Sequence, residues 1–356
     1  MDLTTNFNGL YLANPLMPAS GPLVGDADKL AFMVNEGCGA IVTKTISTIL
    51  PHIPKPCIYG DREYVMNSEL WSEYPYQKWV NDFLPAFWQT KDRPLIISVG
   101  YTKADMEILI PLLDRFADAF EVSTHYVGTD LMVIADTVKT IRSHTTKPIY
   151  MKISPHLPDP EGFAKAISDA GANGVVAVNS LGPTMKIDLN NRNIVYGNDA
   201  GFVWTSGPVI KNLALATVYK IKKAMPSLTV IGVGGISKAE DVIEFLLAGA
   251  SATQMLSGAL LKGKNLFSKI IQDLPLVLEK YGFSSIEDVK QTPLKNAVSY
   301  EPYIPILNPE KCTKCQLCVR ICPYFAIELK EHITFDKDKC FSCGLCISKC
   351  PSQALK

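Results

Sequence analysis

From residue 16 to residue 256 the chain alternates short runs of apolar, often β-branched residues with longer stretches whose apolar positions recur at helical spacing. The short runs fall at 16–20, 40–44, 95–99, 120–124, 149–153, 175–179, 229–233 and 253–256. Continuous apolar runs of this length predict strands covered on both faces, as in a parallel sheet. Between them, 103–118, 130–143, 160–170, 209–224 and 238–248 read as amphipathic helices. Eight such strands alternating with helices predict a (β/α)8 TIM barrel over residues 1–290, a length that suits that closure. An open doubly wound sheet is the alternative, but no G-x-G-x-x-G follows the first strand.

Several of these strands end in small or polar residues: Ala19-Ser20-Gly21, Thr43-Lys44, Ser98, Ser123-Thr124, Lys152, Asn179-Ser180, Gly234-Gly235 and Ser257-Gly258. A barrel gathers all of these ends on its C-terminal face, where active sites sit. Taken singly, each is ordinary turn chemistry. Two lysines at the ends of buried strands, however, are costly without an anionic partner. The glycine-rich turns after strands 7 and 8 point backbone N–H groups outward, which suits an anion, so a phosphorylated cofactor is expected there.

Composition narrows the class. Apolar residues make up 47% of the 356 and charged residues 20%, as in a well-buried globular protein. The formal net charge is zero, so no basic excess favours nucleic acid. The start, Met1-Asp2-Leu3-Thr4-Thr5-Asn6, shows no secretion signal. No apolar run reaches the roughly 18 to 20 residues that span a bilayer. A cytoplasmic location is the expectation.

Eight of the ten cysteines lie between Cys312 and Cys350, in two copies of C-x2-C-x2-C-x3-C-P offset by 28 residues. The first copy is Cys312, Cys315, Cys318, Cys322 and Pro323; the second is Cys340, Cys343, Cys346, Cys350 and Pro351. Three closely spaced thiolates wrap one iron–sulfur cube while the fourth, past a turn, ligates the other. One [4Fe-4S] cluster is therefore expected on Cys312, Cys315, Cys318 and Cys350, and a second on Cys340, Cys343, Cys346 and Cys322. Zinc, which takes two C-x2-C pairs across a spacer, does not fit a repeated triple. Residues 303–356 resemble bacterial-type two-cluster ferredoxins, with 291–302 as a linker. Cys38 and Cys57 have no partners in spacing and read as simple thiols. Clusters pass electrons singly and most organic substrates change by two, so a flavin is the natural converter between them.

Residues 1–285 resemble the flavin barrel of dihydroorotate dehydrogenases and of dihydropyrimidine dehydrogenase. The resemblance is carried by Asn14-Pro15-Leu16-Met17-Pro18-Ala19-Ser20-Gly21, Thr43-Lys44, Lys152, Val178-Asn179-Ser180, Gly201 with Ser206-Gly207-Pro208, Gly232 to Ile236, and Gly249-Ala250-Ser251-Ala252 with Gln254. It implies an FMN whose phosphate sits on the backbone of Gly207, Gly234, Gly235 and Ser257. Ala19, Ser20, Gly21, Ser98, Asn179, Ser206 and Gly258 are the further cofactor contacts expected. Lys44 would approach the flavin, and Lys152 would lie by its N1–C2=O edge. A cation there stabilises the anionic reduced ring, a role that electrostatics alone also supports. Asn179, with Ser180 and Asn67, would face the substrate.

Two segments depart from the family pattern. Where the family supplies an Asn, a Cys or Ser base and then Pro-Asn, this chain reads Phe120-Glu121-Val122-Ser123-Thr124-His125-Tyr126. By position Thr124 takes the place of the base, Glu121 of the first Asn and Tyr126 of the second. Glu121 would resist an orotate-like carboxylate but accept a ring offering N–H groups, and His125 is expected to be an ordinary exposed or packed histidine, the alternative being a proton donor in the site that makes up for the missing Cys. Where the family has Asn-Ser-Met-Gly-Leu-Pro-Asn, this chain has Asn67-Ser68-Glu69-Leu70-Trp71-Ser72-Glu73, in a loop over about 47–76 that could form part of a lid. Tyr59, Tyr64, Trp71 and Tyr74 are expected mostly to pack that loop onto the barrel.

The resemblance implies an oxidoreductase acting on a CH–CH bond conjugated to a carbonyl, foremost in a pyrimidine, with Thr124 or a neighbour and Lys44 as catalytic groups. A ferredoxin-linked reductase of another cyclic enone or enoyl compound, and an electron-transfer subunit without substrate chemistry, are the other two readings. No FAD or NAD fingerprint is present, so the expected partner is free ferredoxin or an FAD/NAD-binding subunit, and a homo-oligomer is expected.

Overall fold

In the computed structural model, which describes residues 1–356, eight parallel strands stand side by side: β1 (Leu16–Pro18), β2 (Ile41–Val42), β3 (Leu95–Val99), β4 (Ala119–Ser123), β5 (Ile149–Ile153), β6 (Gly174–Ala177), β7 (Thr229–Val233) and β8 (Ala252–Met255). Their order runs β1-β8-β7-β6-β5-β4-β3-β2, so the sheet comes back on itself with β1 and β2 at its ends. The Gly39 N–H donates to the Leu16 carbonyl at 2.9 Å across that seam. A Cβ at Gly39 would stand 2.0 Å from the Asn14 carbonyl oxygen, so only glycine lets the two ends approach. The result is a nearly closed barrel.

Helices follow the strands as the sequence pattern predicts: Lys103–Leu113, Leu131–Arg142, Pro160–Asp169, Lys211–Ala224 and Ala239–Leu247. Side-chain direction sorts the strand residues with a period of two. Leu16, Ile41, Leu95, Ile97, Phe120, Val122, Met151 and Val175 face outward into the core shared with the helices. Met17, Val42, Ile96, Ala119, Tyr150, Val176, Ile231 and Ala252 face inward and form an apolar layer across the barrel. The hairpin Thr5–Phe7/Leu10–Leu12 covers that layer with Phe7, Leu10 and Leu12. The next inward position on each strand, two residues on, belongs to the upper layer, and there Lys44, Ser98, Glu121, Lys152 and Gln254 replace apolar side chains while remaining buried.

The segment read from sequence as a loop after β2 is partly strand. Ile58–Gly60 and Val65–Asn67 pair with each other, and Val65–Asn67 pairs with Val203–Ser206, which pairs with Leu181–Thr184. This side sheet fixes Asn67 opposite Trp204 and Ser206 opposite Val65. Tyr74 packs edge-on against Phe83, and Tyr59 against Tyr64 and Tyr196, whereas Trp71 packs against Tyr101. No helix is long and apolar enough to cross a membrane.

The chain divides into two compact units, Met1–Leu294 and Lys295–Lys356. In the second, the 28-residue repeat of the cysteines is also a repeat of the backbone. Lys314, Gln316 and Phe325 have positive φ, and so do their counterparts Ser342, Gly344 and Gln353. The Ala326 N–H donates to Cys322 Sγ at 3.4 Å, and the Ala354 N–H to Cys350 Sγ at 3.3 Å. The short helices Leu317–Ile321 and Leu345–Ser348 correspond in the same way.

Candidate active site and cluster cradles

A cavity of about 320 Å³ opens at the C-terminal ends of the barrel strands. Ala19, Ser20 and Gly21 line it after β1, Lys44 after β2, Lys152 on β5, and Asn179 and Ser180 after β6. Ser206 and Gly207, Gly234 and Gly235, and Ser257 and Gly258 close the side formed by β7 and β8. Asn67 reaches it from the side sheet. The structure thus brings most of the expected site residues to one place.

Three expected residues lie elsewhere: two are buried beneath the cavity, and the third is turned from it by the strand pleat. Ser98 is wholly buried beneath the cavity and bonds to Thr45 Oγ1 at 3.0 Å, which in turn meets Ser20 Oγ at 2.9 Å. Glu121 is 0% exposed and spends both carboxylate oxygens below the cavity: Oε1 accepts from Lys152 Nζ at 3.0 Å and Oε2 from Gln254 Nε2 at 2.6 Å. Its expected role against the substrate ring is corrected to that of a buried counterion for Lys152. Thr124 is out of phase with the inward positions 119, 121 and 123, so it does not line the cavity, and its Oγ1 is buried without a partner. Tyr126, placed by sequence at the second Asn, instead donates its hydroxyl to the Asp130 carbonyl. The pleat brings Ser123 and His125 to the cavity instead.

His125 sits beside Tyr101, with ring centroids 5.0 Å apart, and its Nε2 lies 3.4 Å from Asn179 Nδ2. Burial among these walls, together with the Lys152 ammonium, pulls its pKa down to about 4, so the imidazole is neutral at pH 7. Burial pushes the Tyr101 phenol well above its usual range, which makes it a weak proton donor. Lys44 is 1% exposed and donates to Glu69 Oε1 at 2.8 Å and Glu73 Oε2 at 2.7 Å. Glu69, Trp71, Tyr101, Trp204 and Gln254 also line the cavity. Of these, Gln254 stood in the sequence motif and Glu69 and Trp71 in the segment that departs from the family pattern, whereas Tyr101 and Trp204 carried no signal beyond their nearness to Ser98 and Ser206.

The β7 side is built for an anion. Gly207, Gly234 and Gly235 have φ of 101°, 127° and 80°, values that favour glycine. The N–H groups of Gly234 and Gly235 donate to no other group of the chain. Ser206 Oγ and Ser257 Oγ meet at 2.6 Å on the same side. Gln254 Oε1 is buried without a partner in the chain. Unpaired N–H groups at one end, a cation at Lys152 and an orphaned amide oxygen in the buried floor fit a phosphorylated, hydrogen-bonding ring cofactor.

The second unit holds two small cavities, each with four thiols. Cys312, Cys315, Cys318 and Cys350 line one; Cys322, Cys340, Cys343 and Cys346 line the other. The thiols stand around a space rather than closing on one point, and no group of three or more His, Cys, Asp or Glu side chains converges on a single ion. The sets are those expected for crossed cluster ligation.

A barrel with this cavity, joined to a unit of paired cysteine motifs, defines an iron–sulfur oxidoreductase. Residues 2–278 match the dihydroorotate dehydrogenase family, and residues 311–354 match the 4Fe-4S dicluster domain. The chain belongs to the dihydroorotate dehydrogenase family and is an oxidoreductase acting on CH–CH groups. A dihydroorotate dehydrogenase B (NAD(+)) catalytic subunit from Pyrococcus horikoshii is 32% identical over 298 residues, covering 81% of this chain and 96% of that protein. The protein of the same name from Oceanobacillus iheyensis is 30% identical over 303 residues, covering 81% and 97%. The family implies FMN, and the residues described above fit it.

Proposed function

We propose that this chain interconverts the CH–CH and C=C forms of a pyrimidine ring, using FMN in the barrel and relaying electrons through two [4Fe-4S] clusters. The observation that carries this reading is that one cavity combines an anion cradle on the β7–β8 side with Asn67, Asn179 and His125 among its other walls. When bound, FMN supplies the two-electron exchange at the CH–CH bond. Gly207, Gly234, Gly235 and Ser257 hold its phosphate, and Lys152 carries the charge that favours its reduced form. Asn67 Oδ1 accepts the Glu69 N–H at 2.6 Å, and Asn179 Oδ1 accepts the Ser180 N–H at 2.9 Å. Those bonds orient both amide NH2 groups to donate to ring carbonyls. His125 Nε2, neutral at pH 7, exchanges the proton at the second carbon. Thr124 is not given that role, because its hydroxyl does not face the cavity.

Cys312, Cys315, Cys318 and Cys350 hold one cluster, and Cys322, Cys340, Cys343 and Cys346 the other. The relatives are catalytic subunits named for NAD(+), so a second subunit carrying the pyridine nucleotide is the electron partner, with free ferredoxin as the alternative. The test is anaerobic reoxidation of the reduced flavin by uracil, thymine and orotate beside a panel of cyclic enones. Rapid reoxidation by a pyrimidine supports the reading; response to an enone alone, or to nothing, rules it out.

A further inference from the structure

Glu69 and Glu73 change the electrostatics of the cavity at its Lys44 side. Lys44 and Lys152 are the only lysine or arginine side chains that line the cavity. Glu121 already compensates Lys152 at 3.0 Å. Lys44 is met by two carboxylates, from Glu69 at 2.8 Å and Glu73 at 2.7 Å, so the group carries one net negative charge. Glu69 itself lines the cavity, and its Oε2 has no partner in the chain. The loop geometry is held rather than incidental. Asn67 Oδ1 takes the Glu69 N–H, and the Ser72 N–H donates to the Thr45 carbonyl at 2.8 Å, next to Lys44. The Trp79 indole donates to Ser72 Oγ at 2.8 Å.

A ligand carboxylate entering this end meets no free cation and one surplus carboxylate. Leaving water for such a place is costly without a counterion. An uncharged ring has no such cost. It can lie along Trp71, Tyr101 and His125, whose rings follow one another at 4.8 and 5.0 Å. Its carbonyls then take the amide donors of Asn67 and Asn179. We propose that Glu69 and Glu73 are specificity-determining residues: by neutralising Lys44 they admit an uncharged ring carbonyl compound and reject its carboxylated counterpart. The inference rests on the CH–CH oxidoreductase reading of this cavity, but not on the ring being a pyrimidine.

The test uses the protein loaded with FMN and clusters and kept anaerobic, with binding read by flavin absorbance and by calorimetry. Two neutral and acid pairs are titrated: uracil against orotate, and cyclohexenone against its ring carboxylate. In each pair that binds, the neutral member binds at least about ten-fold more tightly, and the Glu69→Gln/Glu73→Gln variant narrows that gap by about ten-fold. The wild-type comparison decides by itself if the double variant does not fold. Discrimination within the enone pair, with neither pyrimidine binding, removes the pyrimidine reading and upholds the charge rule. The rule is overturned if the acid binds as tightly as its neutral partner, if the gap is unchanged in the variant, or if none of the four rings binds.

Discussion

Lys152 Nζ stands 3.0 Å from Glu121 Oε1, with the lysine 7% and the glutamate 0% exposed. One partner comes from β5 and the other from the neighbouring β4, and Gln254 on β8 holds the second glutamate oxygen. The pair therefore ties three strands together at the floor of the cavity.

Removing either member leaves a buried charge without its partner. Glu121→Ala and Lys152→Ala are each expected to cost about 3–5 kcal/mol of stability, read as a lower urea midpoint. Lys152→Ala is also expected to lower the FMN retained per chain after gel filtration. Unchanged midpoints would show the pair to be solvated in solution.

His125 and Thr124 can be separated by substitution. Thr124→Val removes an unpartnered buried hydroxyl and is expected to be neutral or slightly stabilising, with turnover kept. His125→Gln is expected to lower kcat by about 10²-fold or more, with flavin content kept. The reverse pattern in steady-state assays would return the proton to Thr124.

The acid limb of kcat/KM is expected near pH 4. Burial and Lys152 hold the His125 pKa at about 4, below its ordinary 6.5. As pH falls through 4 the ring gains a proton and ceases to act as a base. For stability the sign is that of a base depressed in the folded state: its contribution is full above 6.5 and is lost as pH falls from 6.5 towards 4. An NMR titration checks the value, and Lys152→Ala should raise it part of the way to 6.5.

Gly235→Ala is expected to lower FMN content. An added Cβ would stand 2.7 Å from Lys211 Cβ and 2.9 Å from the Gly207 carbonyl oxygen, at a φ of 80°. The turn must then shift, carrying its N–H groups out of position. Absorbance at the flavin band after purification measures the loss.

Cys312→Ala and Cys350→Ala are expected to disturb the same cluster although the residues stand at opposite ends of the motif pair, and Cys322→Ala the other. Electron paramagnetic resonance of the reduced variants separates the two. Matching spectra for Cys322→Ala and Cys312→Ala would contradict the crossing.

The barrel was legible because continuous apolar runs and helical spacing are local signals, and β3, β5 and β7 fall on the same residues that the pattern marks. The side sheet was not, because Val65–Asn67 pairs with Val203–Ser206 across a long stretch of intervening chain. Thr124 shows the limit of motif matching. Counting along a motif put it in the base's position, with a neighbour left open for the role, whereas the pleat, which alternates residue by residue, turns its neighbours Ser123 and His125 to the cavity. Glu69 and Glu73 were visible only as departures from a family pattern; their meeting at Lys44 depends on how the loop folds.

The repeat in the second unit has a consequence for how the protein is made. A chain synthesised only as far as Pro323 has Cys312, Cys315 and Cys318 in place but lacks Cys350, so its first cradle is short of one thiol. Cys322 meanwhile waits for three partners not yet translated. The second cradle has its four thiols once the chain has been made through Cys346, and the first gains its fourth only at Cys350. Each cradle thereby takes thiols from both halves of the unit, so neither half can form one alone.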